Sequence, residues 1–151
     1  MKRAAGFTLI EVMAVVLVLG ILAAFYGARY MDRSDEARAG MSITFLGGQV
    51  PTALLNVAEM RGRIDNTTKD DLVARGLSAT TLWGTAWNVA TDDDLTNNRI
   101  TLQFTVGAAN TPTTRSLATS VADRLRLANE YPSVVSVTVT NNQLDVVYRG
   151  G

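Results

Sequence analysis

The chain contains no cysteine and no histidine among its 151 residues. The missing thiols exclude disulfide bonds, thiolate metal sites and cysteine nucleophiles. The missing imidazoles exclude histidine-based acid–base catalysis and the triads that depend on it. Proline is also scarce, with three residues in all and none before Pro51. A helix in the first third of the chain is therefore free of proline breaks.

Neither sign of charge is in excess, because 14 basic residues balance 14 acidic ones. Nucleic-acid-binding domains usually show a basic excess, so the composition gives no case for one. Lys2 and Arg3 lie in the first six residues, and removal of those six would leave 12 basic and 14 acidic residues. A length of 151 residues suits one domain with an additional segment.

The run from Phe7 to Tyr26 reads FTLIEVMAVVLVLGILAAFY and carries a single charge, Glu11. As a helix it would be about 30 Å long, enough to cross a hydrocarbon core. Lys2 and Arg3 should then stay in the cytoplasm, with the rest of the chain outside. Three interpretations compete: a secretory signal peptide, a plain membrane anchor, or a segment that is export signal, anchor and assembly surface in turn. A carboxylate in a membrane helix costs roughly a few kcal/mol without a partner, which favours the third.

The stretch from Gly6 to Val12, GFTLIEV, resembles the prepilin peptidase signature of type IV pilins and related pseudopilins. Family members carry a short basic leader, a glycine before the cut, Phe or Met after it, and Glu at the fifth mature position. All of these features occur here, in the leader MKRAAG, in Phe7 and in Glu11, and an uninterrupted apolar run follows. The resemblance implies cleavage between Gly6 and Phe7 by prepilin peptidase.

The residue types suit that chemistry. Gly6 has no side chain, so a protease can approach its carbonyl closely. The resemblance implies that the new amine of Phe7 is N-methylated. Glu11 shares one helix face with Phe7 and is predicted to pair with the Phe7 amine of a neighbouring subunit, which would set the axial register; the alternative is a carboxylate that reaches the membrane edge. Gly20 lies inside the apolar run and is a candidate for close helix packing or local melting.

Beyond Tyr26 the pattern becomes amphipathic, which predicts that the helix continues to about Leu46. Gly47-Gly48 is expected to interrupt it, and Pro51 to open a new helix that extends to Arg63. In the first helix the residues that recur at helical spacing, as on an apolar face, are Tyr30, Ala37, Met41 and Phe45. In the second helix the expected buried stripe is Leu54, Leu55, Ala58 and Met60.

The pattern in the last third of the sequence predicts a strand, then a helix, then a β-hairpin. The expected strands are Arg99–Val106, Val134–Thr140 and Gln143–Arg149, and an earlier short helix is expected at Lys69–Gly76. A helix is expected at Thr113–Asn129, where Leu117, Val121, Leu125 and Leu127 form a helical pattern. Asn141-Asn142 suits a two-residue hairpin turn. The fold class is therefore α+β: a long N-terminal helix packed on a C-terminal antiparallel sheet with short helices.

This half also resembles the type IVb pilins, which include toxin-coregulated, bundle-forming and conjugative thin-pilus subunits. The resemblance lies in Trp83-Gly84-Thr85 before a strand and in Ser116–Thr119 within a helix. The short leader and the mature start at Phe7 match type IVa pilins instead. The usual disulfide is missing, so the C-terminal region must depend on packing alone.

Three further features have a functional and a structural interpretation. Trp83 and Trp87 suit either a binding platform or the core, and the core is favoured. Asp92, Asp93 and Asp94 form a weak candidate for calcium binding, although a solvated acidic turn is favoured. A basic patch is also conceivable for nucleic acid, but acidic residues interleave and favour a solvated face. Its members are Arg115, Arg124, Arg126 and Arg149, with Asp123 and Glu130 among them.

The resemblance implies three regions: a leader at 1–6, a membrane and filament-core helix at 7–26, and a periplasmic or extracellular domain at 27–151. It implies a structural subunit, a major pilin of a type IV pilus, with no enzymatic activity and no cofactor. The alternatives are a type II secretion pseudopilin and a minor pilin of a DNA-uptake or conjugative pilus. The implied partners are copies of itself, prepilin peptidase, the inner membrane and the assembly machinery. The implied location is the inner membrane first and the cell-surface pilus later, where adhesion is one possible role.

Overall fold

The computed structural model describes residues 8–91, 97–127 and 129–150, with backbone only for residues 28–33 and Thr91. The chain divides into two compact units, residues 1–35 and residues 36–151. The predicted cleavage residues Gly6 and Phe7 and the candidate cluster Asp92, Asp93 and Asp94 lie outside the described residues.

The first unit contains most of helix α1, which spans Leu9–Thr44. Its side chains between Leu9 and Gly27 are apolar on every side and none is buried within the protein. A helix that is apolar all round requires an apolar environment, either a membrane or other protein. This confirms the predicted long N-terminal helix.

In the second unit the helical path continues past the end of α1. A π-helical turn at Phe45–Gln49 leads directly into α2, Val50–Arg61. Gly47-Gly48 was expected to interrupt the helix, and this prediction is wrong, because the two glycines are accommodated as a π turn. Pro51 does lie at the start of α2 as predicted, where its missing N–H costs least.

The remaining elements complete an α+β domain. They are α3 (Lys69–Ala74), β1 (Asn88–Thr91), β2 (Arg99–Thr105), α4 (Pro112–Leu125), β3 (Val134–Thr140) and β4 (Gln143–Arg149). The strands form one antiparallel sheet in the order β1-β2-β4-β3. The predicted hairpin is confirmed, and Asn141 takes a positive φ of 59° in its turn. α3 ends before Gly76, whose φ of 94° suits glycine at a helix stop.

One face of the sheet forms the core. The register of β2 and β4 sets three apolar pairs opposite one another, Ile100 with Tyr148, Leu102 with Val146 and Phe104 with Leu144, and all six side chains are buried. Each such burial contributes about 1.5–3 kcal/mol relative to exposure. Buried residues alternate with half-buried or exposed ones along β2 and β4, as expected for a sheet with one face on the core.

Helices cover this core face. The buried helical residues are Ala39 and Ser42 of α1, Phe45 and Leu46 of the π turn, Val50, Ala53, Leu54 and Val57 of α2, and Ala118, Val121, Ala122 and Leu125 of α4. The ring of Phe45 lies 5.8 Å from that of Phe104 and 6.1 Å from that of Trp87. The core face of the sheet is therefore covered mostly by the π turn, α2 and α4, and α1 contributes only two buried residues.

Several predicted core positions are wrong. Ala37 and Met41 are exposed, while Ala39 and Ser42 are buried instead. The buried face of α1 is thus made of small residues, which give only a weak hydrophobic signal in the sequence. The buried hydroxyl of Ser42 has a partner, because it donates a hydrogen bond to the Arg38 carbonyl at 2.9 Å. Tyr30 has no described side chain.

Farther along the chain, two residues of the stripe expected to be buried in the second helix, Leu55 and Met60, are exposed. Leu127 was placed inside a helix reaching Asn129, but α4 ends at Leu125. Leu55 and Met60 differ from the buried Leu54 by their position on the surface of α2, because all three side chains are apolar.

Candidate functional site

The candidate site is the apolar N-terminal helix. Within the described residues, Leu9–Gly27 is the single helix long and apolar enough to cross a membrane. Exposed leucine, valine and isoleucine side chains cover it on all sides, and Glu11 is the only charged residue among them. The arrangement matches a segment that is built to be surrounded by lipid or by other apolar helices.

Glu11 lies in the first turn of α1 and is exposed. One of its carboxylate oxygens, Oε2, accepts two hydrogen bonds from Thr8, from the backbone N–H at 2.8 Å and from the hydroxyl at 2.9 Å. These bonds satisfy one of the unpaired N–H groups at the helix start. The carboxylate therefore has a partner within its own chain before any neighbour arrives.

Thr8 is a residue that the sequence analysis missed. Its signal was present, because Thr-x-x-Glu before an apolar run is the pattern of a capping box. Two other helices begin in the same way, with full capping boxes from Thr68 to Asp71 and from Thr111 to Thr114. At the start of α1 one half of a capping box is present, because the Glu11 carboxylate accepts a hydrogen bond from the backbone N–H of Thr8.

Gly20 lies in the helical part of α1, and a Cβ placed on it would meet no atom within 4 Å. Its backbone is therefore uncovered on the helix surface. Close approach of another helix at this point is sterically open. The role of Gly20 in packing or melting stays a prediction, since a single chain contains no neighbouring helix.

The second unit contains an acid–arginine pair that closes α2 onto α3. Arg61 donates to both carboxylate oxygens of Asp71, at 3.0 and 2.6 Å. The hydrogen bonds from Arg61, together with those from Thr68, hold the pKa of Asp71 well below its usual range. The same bonds raise the pKa of Arg61. This pair connects two helices and is structural in character.

The two tryptophans that were candidates for a binding platform pack in or against the hydrophobic core. Trp87 is 1% exposed and its indole N–H donates to the Ser78 carbonyl at 2.7 Å, which confirms a core role. Trp83 is half-buried and packs edge-on against Phe104, with ring centroids 6.3 Å apart. Among the described residues, no group of three or more acidic side chains is placed to hold a metal ion.

The proposed basic patch is divided by its acidic neighbours. Arg126 pairs with Asp123 at 2.9 Å, and Arg124 approaches Glu130 at 3.5 Å. The guanidinium of Arg126 also donates to the Val137 carbonyl of edge strand β3 at 2.8 Å. Two of the four arginines are thus occupied, as expected for a solvated face.

Comparison with known proteins places the likeness in the N-terminal segment. Residues 1–26 match the family model described as the prokaryotic N-terminal methylation motif. The chain is 51% identical over 37 residues to the type II secretion system core protein G of Pseudomonas aeruginosa. That alignment covers 24% of this chain and 26% of the relative, so the chain matches about a quarter of the relative's length. No solved structure matches the chain.

The residues that match the methylation motif overlap the apolar helix of the structure. The matched residues include the predicted cleavage and methylation residues, the single acid and most of the apolar helix. The methylation motif thus coincides with an apolar helix that is long enough to cross a membrane. The likeness to proteins with a prepilin-type N-terminus therefore lies in the N-terminal segment, and the second unit adds an α+β fold.

Proposed function

We propose that the chain is the major structural subunit of a type IV pilus, cleaved between Gly6 and Phe7 and assembled through its N-terminal helix. The observation that supports this most is the isolated Glu11 on an exposed helix otherwise made of apolar residues. Such a carboxylate is costly in lipid. A charged amine on the mature Phe7 of a neighbouring copy would compensate it.

The hydrogen bonds from Thr8 fit a two-stage process. While the subunit waits in the membrane, Thr8 satisfies Glu11 within the same chain. During assembly the amine of a neighbour replaces or joins these bonds. A desolvated ion pair must be well matched or it is penalised, so one axial stagger between subunits is favoured over the others.

Apolar packing would supply the cohesion of the filament. The uncovered side chains from Leu9 to Gly27 would leave lipid and bury one another. The gain per side chain is smaller than for transfer from water, because lipid is itself apolar. Gly20 would allow neighbouring helices to approach closely. The mature domain, residues 27–151, would then lie on the filament surface outside the cell.

A type II secretion pseudopilin is the second candidate. The 37-residue likeness to a type II secretion system core protein favours it. Both candidates use the same processing and the same helix packing. They differ in where the fibre forms, because a pilus extends from the cell surface and a pseudopilus stays within the envelope.

Mass spectrometry of the mature protein tests the proposal. We expect a chain that begins with N-methylated Phe7. A mature start near residue 25 would show that the apolar segment is a discarded signal peptide and would refute assembly. Electron microscopy of the producing cells then separates the two candidates, since long surface fibres support a pilus and their absence at normal subunit levels supports a pseudopilus.

A further inference from the structure

A polar groove lies in the second unit, between the π turn, α2 and the end of α3. Its volume is about 460 Å³, which falls within the range of roughly 300–1,000 Å³ that is usual for small-molecule sites. Two of the residues that line it, Ala53 and Leu77, are buried and apolar. The other lining residues are mostly polar and include a single cation, Arg75. The lining therefore suits a polar ligand that carries negative charge.

Arg75 caps the C-terminus of α3, and its side chain is half-buried. Its Nε atom is enclosed by the protein and has no hydrogen-bond partner. The two terminal nitrogens also lack a partner in the described part of the chain, but they are not enclosed. By contrast, the nearby Arg61 is bound by both carboxylate oxygens of Asp71. Arg75 is thus an arginine that is packed in place without an acceptor, and a carboxylate is the acceptor whose geometry fits a guanidinium best.

Three neutral polar side chains line the groove beside this cation. Gln49, Thr52 and Asn56 follow one another at helical spacing, so they share one face of the π turn and α2, and all three are exposed. Among the described residues, the carboxamides of Gln49 and Asn56 form no hydrogen bond. The Thr52 hydroxyl donates to the Gly48 carbonyl at 2.8 Å, which leaves its oxygen free to accept. Carboxamides both donate and accept, so the groove matches a ligand with several hydroxyls and one carboxylate.

We propose that this groove binds an acidic sugar, either a uronic acid or a saccharide that ends in one. Arg75 binds the carboxylate, and Gln49 and Asn56 bind the hydroxyls of the sugar ring. A small anion such as acetate would leave the carboxamides unused, and a neutral sugar would leave Arg75 without an acceptor. The proposal is independent of the proposed function, because every residue of the groove belongs to one copy of the chain and to its second unit.

Matched pairs of sugars test the ligand class. The probes are D-galacturonate with D-galactose and D-glucuronate with D-glucose, because the members of each pair differ only in a carboxylate or a hydroxymethyl group. Saturation-transfer difference NMR of the full-length chain in detergent micelles would measure the dissociation constants. We expect one of the acids to bind at least about tenfold more tightly than its neutral partner, since hydrogen bonds to charged groups are the stronger ones. No binding of either acid at millimolar concentration would overturn the proposal. Displacement of the acid by an equal concentration of acetate or inorganic phosphate would also overturn it, because the groove would then be a general anion site.

Two variants then assign the roles within the groove. Arg75→Gln should remove the preference for the acid over its neutral partner, whereas Asn56→Leu should weaken the binding of both sugars. Arg115→Gln is the matched control, since Arg115 is exposed on α4 and does not line the groove, and it should bind as wild type does. Asn56 is exposed on α2, so the thermal unfolding midpoint of Asn56→Leu should stay at the wild-type value and keep the test valid even if Arg75→Gln does not fold. Wild-type binding of the acid by Arg75→Gln or by Asn56→Leu would place the ligand elsewhere and overturn the proposal.

Discussion

The phenolic hydroxyl of Tyr148 donates a 2.7 Å hydrogen bond to the carbonyl of Leu46. The bond is buried and connects the last strand to a helical turn 102 residues earlier. Its origin lies in the π turn. Val50 gives its N–H to the Phe45 carbonyl, and Pro51 has no N–H to give. The Leu46 carbonyl therefore lacks a donor from the helix, and Tyr148 supplies one. Burial raises the pKa of Tyr148 well above its usual value, so the phenol stays a neutral donor.

The first prediction concerns this bond. Tyr148→Phe keeps the ring and removes the hydroxyl, which leaves a buried carbonyl unsatisfied at a cost of about 1–3 kcal/mol. Urea unfolding of the solubilised full-length chain would measure it. Tyr131→Phe is the control, because the Tyr131 hydroxyl has no hydrogen bond among the described residues, and we expect a change within about 0.5 kcal/mol. Equal effects from both variants would show that the bond does not stabilise the π turn.

The second prediction compares the two adjacent glycines of the π turn. A Cβ on Gly47 would overlap the ring of Tyr131, whereas one on Gly48 would meet nothing within 4 Å. We expect Gly47→Ala to destabilise the fold by about 1–3 kcal/mol through overpacking. Gly48→Ala should be neutral or stabilising by up to about 1 kcal/mol, since alanine favours helices. The midpoint of thermal unfolding would rank the two variants, and the reverse order would contradict the contact with Tyr131.

The third prediction concerns acid stability. The Arg61 and Thr68 hydrogen bonds lower the pKa of Asp71 in the folded state. A lowered folded pKa stabilises the protein above the unfolded pKa of about 3.9 and loses that contribution as pH falls through the folded value. Asp71→Asn should therefore have a lower free energy of unfolding than wild type at pH 7. This difference should become smaller below about pH 4.

The adjacent carboxylate provides the control for this experiment. Asp70 is exposed and has no ion pair in the described part of the chain. At pH 7, Asp70→Asn should lower the free energy of unfolding by much less than Asp71→Asn does. If the difference in the free energy of unfolding between wild type and Asp71→Asn stayed constant down to pH 2, the charge of the Asp71 carboxylate would contribute nothing to stability.

The fourth prediction concerns the intramembrane acid. Glu11→Ala should be exported and cleaved normally, because the cleavage dipeptide is intact, but should assemble poorly for lack of a partner for the Phe7 amine. Immunoblots of mature protein and of sheared fibres would measure the two steps separately. Wild-type fibre yields from this variant would contradict the register role of Glu11.

Thr8→Val is the matched variant for the first turn. It removes the hydroxyl that donates to Glu11 but keeps the backbone N–H bond of 2.8 Å. We therefore expect a smaller loss of fibre than for Glu11→Ala. A loss as large as that of Glu11→Ala would show that the Thr8 hydroxyl itself is needed for assembly.

Local patterns in the sequence were sufficient for several elements. The strands β2, β3 and β4 were predicted within about one residue, because alternation along a strand directly reports which face is buried. The apolar helix and the single acid at Glu11 were equally visible. The role of Thr8 was also readable from the local pattern Thr-x-x-Glu before an apolar run, although Thr8 was not among the predicted site residues.

The chemistry of the N-terminus followed from the sequence alone: an N-terminal methylation motif, one carboxylate and an apolar run of membrane length. These depend on residue type and spacing within a few turns. Only the tertiary structure decided that Gly47-Gly48 form a π turn and not a break, since that outcome depends on Tyr131 packing on Gly47 and Tyr148 supplying the missing donor. It also decided that Leu54 is buried and Leu55 exposed, because burial depends on which helix face meets the sheet and not on how apolar a residue is.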